Sequence, residues 1–171
     1  MTKPQLYLLV GYPGSGKTTV AKIIHEKSGA EHLWTDWERR SMFEQPTHSD
    51  SENNKLYSYL NIMTGQMLSE GKSVIFDTNF NFQKDRDHLR KIAEQNNAQT
   101  WIIWVTTSRE LSKKRATEQT EEQANRVLGR MSAEDFDRIA DHLQPPQESE
   151  TFIKIDGTDV DKGALIQQLS L

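Results

Sequence analysis

Short runs of consecutive apolar residues alternate along this chain with longer stretches in which apolar residues recur every three or four positions. Two runs, at 6–10 and 101–105, are apolar almost throughout, which is typical of strands buried on both faces of a sheet. Three weaker runs cover 32–34, 73–76 and 151–155. The alternation predicts parallel β-α-β units, and therefore a three-layer α/β sandwich with a five-stranded parallel sheet.

The stretches between these runs predict helices. One helix is expected upstream of Gly71, because five residues there keep a spacing of three or four positions. These residues are Leu56, Tyr59, Leu60, Met63 and Met67, and the helix is expected to stop before Gly71. The other predicted helices cover 17–27, 84–96, 109–117 and 133–142. The polar stretch 45–54 is expected to be a mobile loop, with continuation of a helix as the alternative.

Length and composition narrow the function classes. A chain of 171 residues suits one domain, which we place at 1–171. A net charge of −4 argues against a surface that coats nucleic acid, although it leaves a local basic cleft possible. The absence of cysteine excludes disulfides, a thiolate nucleophile and Cys-ligated zinc. With no signal-like start and no long apolar run, we expect a cytoplasmic protein without a membrane partner.

A glycine-rich motif directly follows the first apolar run. Residues 11–18 read GYPGSGKT, the G-x-x-x-x-G-K-[ST] pattern whose backbone N–H groups turn onto phosphate oxygens. In this pattern Lys17 reaches the β- and γ-phosphates, and the Thr18 hydroxyl is a ligand for Mg²⁺. The predicted nucleotide-binding residues are Gly11, Pro13, Gly14, Ser15, Gly16, Lys17, Thr18 and Thr19. The motif predicts triphosphate binding but does not define the reaction.

Two further places suit the acceptor of a transferred phosphoryl group. Asp36 and Arg39 stand three residues apart on an opening helix, so both side chains share one face. Asp36 would take a hydroxyl proton and Arg39 would hold an anionic acceptor; the alternative is an ordinary first-turn aspartate beside a surface arginine. Asp77, Thr78 and Asn79 end the third run, where ligands of open α/β sheets bind. Asp77 could hold magnesium, contact the substrate or simply end a strand.

The charged stretch 109–130 has the composition of a lid over the phosphates. Its candidate cations are Lys113, Lys114, Arg115, Arg126 and Arg130. A solvated helix face is the alternative for each of them. Trp37 beside Asp36 is a candidate for packing on an acceptor, whereas Trp101 and Trp104 fit the core.

Four stretches of the chain, GYPGSGKTT, DWER, FDTNFN and LQPPQESE, resemble the polynucleotide 5′-hydroxyl kinase branch of small P-loop kinases. These are AAA-type ATP-binding kinases of phages and bacteria. The resemblance implies a nucleoside-kinase-like P-loop fold with strand order 2-3-1-4-5. It also implies that Asp36 is the general base, that Arg39 holds a phosphate next to the accepting sugar, and that Asp77 orients the acceptor.

The lid departs from the family pattern of two arginines four residues apart. Arg115 fits the first, but Gln119 stands at the second position, which leaves Arg126 as the replacement. We therefore expect Lys17, Asp36, Arg115 and Arg126 to be catalytic. The expected reaction moves the γ-phosphate of ATP, with Mg²⁺, to the 5′-OH of a nucleotide or a single-stranded nucleic acid end. The alternatives are a small-molecule kinase and a nucleotide-dependent binding module.

Overall fold

The computed structural model describes residues 3–118 and 130–171. Its sheet contains the strands β1 (Gln5–Val10), β2 (Glu31–Trp34), β3 (Val74–Asp77), β4 (Gln99–Val105) and β5 (Phe152–Ile155). Every pair of neighbouring strands is parallel, and the order is β2-β3-β1-β4-β5. The parallel sheet and the strand order that we expected are both confirmed.

Helices follow the strands in the described ranges. They are α1 (Lys17–Ser28), α2 (Thr35–Met42), α3 (Asp50–Ser69), α4 (Gln83–Gln95), α5 (Arg109–Glu118), α6 (Ala133–Ala140) and α7 (Lys162–Leu169). The last helix was not predicted. Asp161 caps its first turn by accepting a hydrogen bond from the Ala164 backbone N–H at 2.9 Å. No helix in these ranges is long and apolar enough to cross a membrane.

Side chains of β1 alternate between the two faces of the sheet. Leu6, Leu8 and Val10 pack with the buried residues of α3 and α4, while Tyr7 and Leu9 pack with those of α1 and α7. This alternation is the period of two that a strand imposes. Because both faces are covered by helices, the inner positions of the central strands are apolar, and polar residues lie at the strand ends.

The expectation of a mobile loop over 45–54 is wrong for its second half, because α3 begins at Asp50. The Ser49 side chain accepts a hydrogen bond from the Glu52 backbone N–H at 3.3 Å. A serine followed three residues later by glutamate is a helix-start signal, and it was present in the sequence. The start of α3 places Glu52 and Asn53 against α2.

Candidate active site

A cleft of about 1030 Å³ lies where β1, β2 and β3 end. It is lined by the glycine-rich loop, the start of α2, the first half of α3, the residues after β3 and the loop after β5. Each of the acceptor residues expected from the sequence lines it. These residues are Asp36, Arg39, Asp77, Thr78 and Asn79. The structure therefore brings the two acceptor stretches and the glycine-rich loop into one space.

The glycine-rich loop is folded around its own lysine. Lys17 is buried, and its Nζ donates hydrogen bonds to the backbone oxygens of Gly11 at 3.0 Å and Tyr12 at 2.7 Å. Six of the predicted nucleotide-binding residues line the cleft: Pro13, Gly14, Gly16, Lys17, Thr18 and Thr19. Gly11 and Ser15 are buried beneath it. That these residues bind a nucleotide stays a prediction.

Close backbone approach requires glycine at two places in this cradle. Gly14 has a φ of 78°, and a Cβ atom there would lie 2.4 Å from the Ser112 backbone oxygen of α5. A Cβ atom on Gly157, in the loop after β5, would lie 2.0 Å from the Ser15 backbone oxygen. The Thr107 hydroxyl donates to that same oxygen at 2.7 Å. The loops after β1, β4 and β5 are thus in direct contact.

Arg115 is placed on the nucleotide side of the cleft. Its Nη1 donates a hydrogen bond to the Gly157 backbone oxygen at 2.9 Å, and its side chain lines the cleft. Two other cations of α5 face α6 instead. Lys113 contacts Asp137 at 2.5 Å, and Arg109 contacts Asp141 at 2.7 Å.

The predicted replacement arginine Arg126, and Gln119, lie outside the described residues. The part of the lid that the structure describes is therefore α5, together with residues from 130 onward. Within that part, Arg115 is the α5 cation that lines the cleft.

Thr35 links the two acceptor stretches. Its hydroxyl donates a hydrogen bond to the backbone oxygen of Asp77 at 2.8 Å, across the adjacent ends of β2 and β3. Asp36, the next residue, is half-buried in the same cleft. Trp37 is 56% exposed and is not among the residues that line the cleft. Trp34 lines the cleft, so it is the tryptophan of this stretch that can contact a ligand.

The Arg39 guanidinium donates hydrogen bonds to other residues of the protein. It is buried, its Nη1 donates to the Glu52 carboxylate, and its Nη2 donates to Asn53 Oδ1 at 2.8 Å. Its Nε is buried without a hydrogen-bond partner among the described residues. The sequence assigned this guanidinium to an acceptor phosphate, and that role stays a prediction. The partner Glu52 was not foreseen.

Glu52 is fixed in its charged form. Its carboxylate accepts hydrogen bonds from the Thr47 backbone N–H at 2.6 Å and from the His48 backbone N–H at 3.2 Å, in addition to that from Arg39. Burial alone would raise the pKa of Glu52, but these hydrogen bonds and one from the Thr47 hydroxyl lower it to about 2. At neutral pH, Arg39 therefore faces a permanent negative charge.

Asp77 has a histidine partner that the sequence did not reveal. Its side chain is 4% exposed, and its Oδ2 lies 3.0 Å from His32 Nε2. Trp34 is paired with Asp77 in the β2–β3 register, so His32 contacts Asp77 diagonally across the two strands. The His32 ring also stacks on Trp34 at a centroid distance of 5.9 Å.

The segment after Asp77 is held from two sides. The Thr78 hydroxyl lies 3.0 Å from the Tyr57 hydroxyl of α3. Phe80 adopts a φ of 43°, and its backbone oxygen accepts a hydrogen bond from Arg86 Nη1 at 2.9 Å. Thr78 and Asn79 are consequently presented to the cleft on a segment with fixed contacts at both ends.

Arg86 and Glu150 form a fully buried pair beneath that segment. The guanidinium donates from Nε to Oε1 and from Nη2 to Oε2, both at 2.7 Å, and both side chains have zero exposure. Arg86 Nη1 also donates to the Gln144 backbone oxygen at 3.0 Å. This pair joins α4 to residues 143–150. These residues form the LQPPQESE stretch, one of the four that carry the resemblance, and the ion pair gives this stretch a structural role.

The residues that line the cleft fit a Mg²⁺ ion that is held mostly by the oxygen atoms of a bound nucleotide and of water. No group of three or more histidine, cysteine, aspartate or glutamate side chains in the described ranges could hold a metal ion. The Thr18 hydroxyl lines the cleft beside Lys17. One protein oxygen, together with phosphate and water oxygens, is the donor set that Mg²⁺ accepts in nucleotide sites.

Solved structures share this fold. A candidate kinase from Chloroflexus aurantiacus J-10-fl superposes with a TM-score of 0.78 at 19% identity, covering 99% of this chain and 98% of its own. A gluconokinase from Sinorhizobium meliloti 1021 gives 0.65 at 17% identity, covering 98% and 90%. The Mycobacterium tuberculosis APS kinase, in complex with AMPPNP and APS, gives 0.67 at 15% identity, covering 99% and 97%. At these low identities, the TM-scores show a common fold.

Sequence comparison gives the family. No curated protein matches the chain significantly. A family model described as AAA domain matches residues 6–146, which is most of the chain. Together with the GYPGSGKT loop and the 2-3-1-4-5 sheet, this match shows that the chain belongs to the AAA domain family.

Proposed function

We propose that this protein is an ATP-dependent phosphotransferase that moves the γ-phosphoryl group to a hydroxyl acceptor. The observation that carries the proposal is that Lys17, Arg115 and the Asp36 carboxylate line one cleft. A cation-lined phosphate cradle facing a carboxylate is what a kinase requires, since catalysis consists mainly of positioning and charge stabilisation. The names of the structural neighbours, gluconokinase and APS kinase, support the same reaction class.

In this reaction the acceptor oxygen forms a bond to the γ-phosphorus, the bond from that phosphorus to the bridging oxygen breaks, and ADP leaves. Asp36 takes the hydroxyl proton. Lys17 and Arg115 offset the charge on the phosphate oxygens, and we keep Arg126 as a second candidate for that role. Mg²⁺ held by Thr18 would neutralise β- and γ-oxygen charge when bound. Asp77 and Arg39 orient the acceptor, with Thr78 and Asn79 beside them.

Two acceptor classes follow from different observations. The Asp36-x-x-Arg39 and Asp77-Thr78-Asn79 stretches support the 5′-OH of a nucleotide or a single-stranded nucleic acid end. The Arg39–Glu52 ion pair favours the second class, a small-molecule kinase for a sugar, nucleoside or antibiotic hydroxyl. The Arg39 guanidinium was expected to hold a phosphate of the acceptor, but in this pair it already contacts the Glu52 carboxylate.

The test is label transfer from γ-labelled ATP to a 5′-OH oligonucleotide and, separately, to a pool of hydroxylated metabolites. Asp36→Asn should lower transfer by about 10²–10⁴-fold, the usual contribution of a general base, while ATP binding persists. Glu38→Gln is the matched control, because Glu38 lies on the same helix but is not among the cleft-lining residues.

Each outcome has a distinct meaning. Transfer to one acceptor class identifies it. Tight ATP binding with no transfer to any acceptor would contradict the kinase proposal and leave a nucleotide-dependent binding module. Undiminished transfer in Asp36→Asn would remove Asp36 as the base.

A further inference from the structure

We call the end of the cleft that contains Asp36, Arg39 and Asp77 the acceptor end. The negatively charged partner of Arg39 there is a residue of the protein itself, Glu52. Arg39 gives both terminal nitrogens to Glu52 and Asn53 and is only 4% exposed. Arginine holds a phosphate best through two parallel N–H bonds. Of the five N–H groups of Arg39, one on Nη1 donates to Glu52 and one on Nη2 donates to Asn53, and Nε is the buried nitrogen without a partner in the described ranges. A bidentate phosphate would therefore have to share an Nη nitrogen with Glu52 or Asn53.

Glu52 cannot readily be displaced by an incoming anion. Two backbone N–H groups, the Thr47 hydroxyl and Arg39 all donate to its carboxylate. An anionic acceptor that took Arg39 would leave Glu52 charged and buried without its ionic partner, which is strongly unfavourable. Glu52 also lies in the first turn of α3, where its backbone N–H donates to the capping Ser49 hydroxyl, so moving it would disturb that helix start.

The other charges at this end are predominantly negative. Four carboxylates line it: Asp36, Asp50, Asp77 and Asp85. Besides Arg39, the lining cations here are Arg138, which pairs with Asp135 at 3.0 Å, and Lys84, which lies over the Phe82 ring at 5.4 Å. The imidazoles of His48, His88 and His142 complete the titratable lining, and the pKa of His48 is lowered by burial and by Arg39.

Neutral groups supply the remaining polar lining. Amide side chains both donate and accept hydrogen bonds, which suits hydroxyl groups of an uncharged ligand. They belong to Asn53, Asn54, Asn61, Asn79 and Asn81. Asn81 donates through Nδ2 to the Ile139 backbone oxygen at 3.1 Å, while its buried Oδ1 has no partner in the described ranges.

We propose that Glu52 makes the acceptor site selective for an uncharged, polyhydroxylated small molecule, such as a nucleoside or a sugar, over an acceptor that carries a phosphate near the reacting hydroxyl. This inference rests on the proposed phosphotransferase function and names its substrate class. Glu52 is the specificity-determining residue, and it acts through Arg39.

The test uses a neutral and an anionic twin, thymidine and thymidine 3′-monophosphate, with a non-hydrolysable ATP analogue and Mg²⁺ filling the nucleotide side. Calorimetry measures the affinity of both twins for the native protein, Glu52→Gln and Glu94→Gln. Glu94 is an exposed carboxylate on α4 and is not among the cleft-lining residues. Glu52→Gln keeps a hydrogen-bonding side chain but frees the Arg39 charge.

We expect the native protein to bind the phosphorylated twin no more tightly than thymidine. Glu52→Gln should raise the affinity for the phosphorylated twin, relative to thymidine, by tenfold or more, and Glu94→Gln should not. Native binding of the phosphorylated twin that is tenfold tighter than that of thymidine would overturn the inference, as would an unchanged ratio in folded Glu52→Gln.

If neither twin binds the native protein, gain of binding of the phosphorylated twin in Glu52→Gln still supports the inference, and no gain overturns it. Should Glu52→Gln fail to fold, the native ratio decides alone: binding of the phosphorylated twin that is tenfold tighter than that of thymidine overturns the inference, and thymidine binding that is at least as tight supports it. Because these are binding measurements, their failure is separate from failure of label transfer, which tests the phosphotransferase function itself.

Discussion

His32 Nε2 lies 3.0 Å from Asp77 Oδ2, at the ends of two neighbouring strands that open into the cleft. The hydroxyl of Thr35 holds the Asp77 backbone oxygen at the same time. Asp77 is therefore fixed both through its side chain, by His32 of β2, and through its main chain, by Thr35 at the start of α2. The same strand leads directly into Asp36, so the two carboxylates of the acceptor end share one support.

The first prediction concerns His32. His32→Ala should lower kcat/KM for the acceptor by about tenfold, because Asp77 loses a charge-assisted hydrogen bond of about 1.5–3 kcal/mol that orients it. His32→Gln should restore much of the loss, since its Nε2 can reach the same carboxylate, whereas the shorter His32→Asn should not. Steady-state kinetics with a fixed ATP concentration measure this. Equal activity in all three variants would contradict a positioning role.

The second prediction concerns Gly157. Gly157→Ala should weaken ATP binding and lower stability by about 1–3 kcal/mol, because its Cβ would overlap the Ser15 backbone oxygen. Gly163→Ala is the control, because its Cβ would have no contact closer than 3.4 Å and alanine favours the interior of α7. Thermal unfolding with and without ATP reports both effects. Unchanged ATP affinity in Gly157→Ala would show that the loop after β5 can shift freely.

The third prediction concerns the buried Arg86–Glu150 pair. Glu150→Gln should cost about 3–5 kcal/mol, because it leaves the Arg86 charge buried and uncompensated. The double variant Arg86→Leu, Glu150→Leu should cost less than the sum of the single changes. Denaturant unfolding measures these values. Glu26→Gln, which removes an exposed pair with Lys162, should have no measurable effect.

The fourth prediction concerns pH. The pKa of Glu52 is lowered from its ordinary 4.5 to about 2 in the folded protein, so the folded state favours the charged form. Its contribution to stability is therefore complete above pH 4.5 and is lost as the pH falls through about 2. The melting temperature of the native protein should fall more steeply across that window than that of Glu52→Gln. If the melting temperatures of the two proteins fell in parallel with pH, the lowered pKa of Glu52 would be contradicted.

The nucleotide side could be predicted because its chemistry is local in sequence. Lys17 and Thr18 stand in one contiguous motif, and the run before them and the helix after them confirm its setting. Strands β1 and β4 could also be predicted, since burial on both faces makes most of their positions apolar, whereas the other three strands gave weaker runs. The start of α3 was missed although Ser49 and Glu52 carry a capping signal, because the stretch was read only for its polarity.

The partners of the acceptor residues could not be predicted, because they are distant in sequence. His32 and Asp77 are 45 residues apart, and Arg86 and Glu150 are 64 apart. Which carboxylate meets which cation depends on strand register and helix packing, and neither is encoded in a local pattern. Arg39 shows the consequence: its spacing from Asp36 identified its position correctly, but only the packing of α3 revealed Glu52 beside it.

The contact between Gly157, Ser15 and Thr107 also has an evolutionary consequence. Main-chain atoms of separate loops meet there with no spare room, so few substitutions are compatible with it. The opposite end of the cleft is made of side chains such as Asn53 and Tyr57, which can be exchanged one at a time without moving the backbone. Under the proposed function, descendants of this chain should therefore keep the same phosphate donor while diverging in the acceptor.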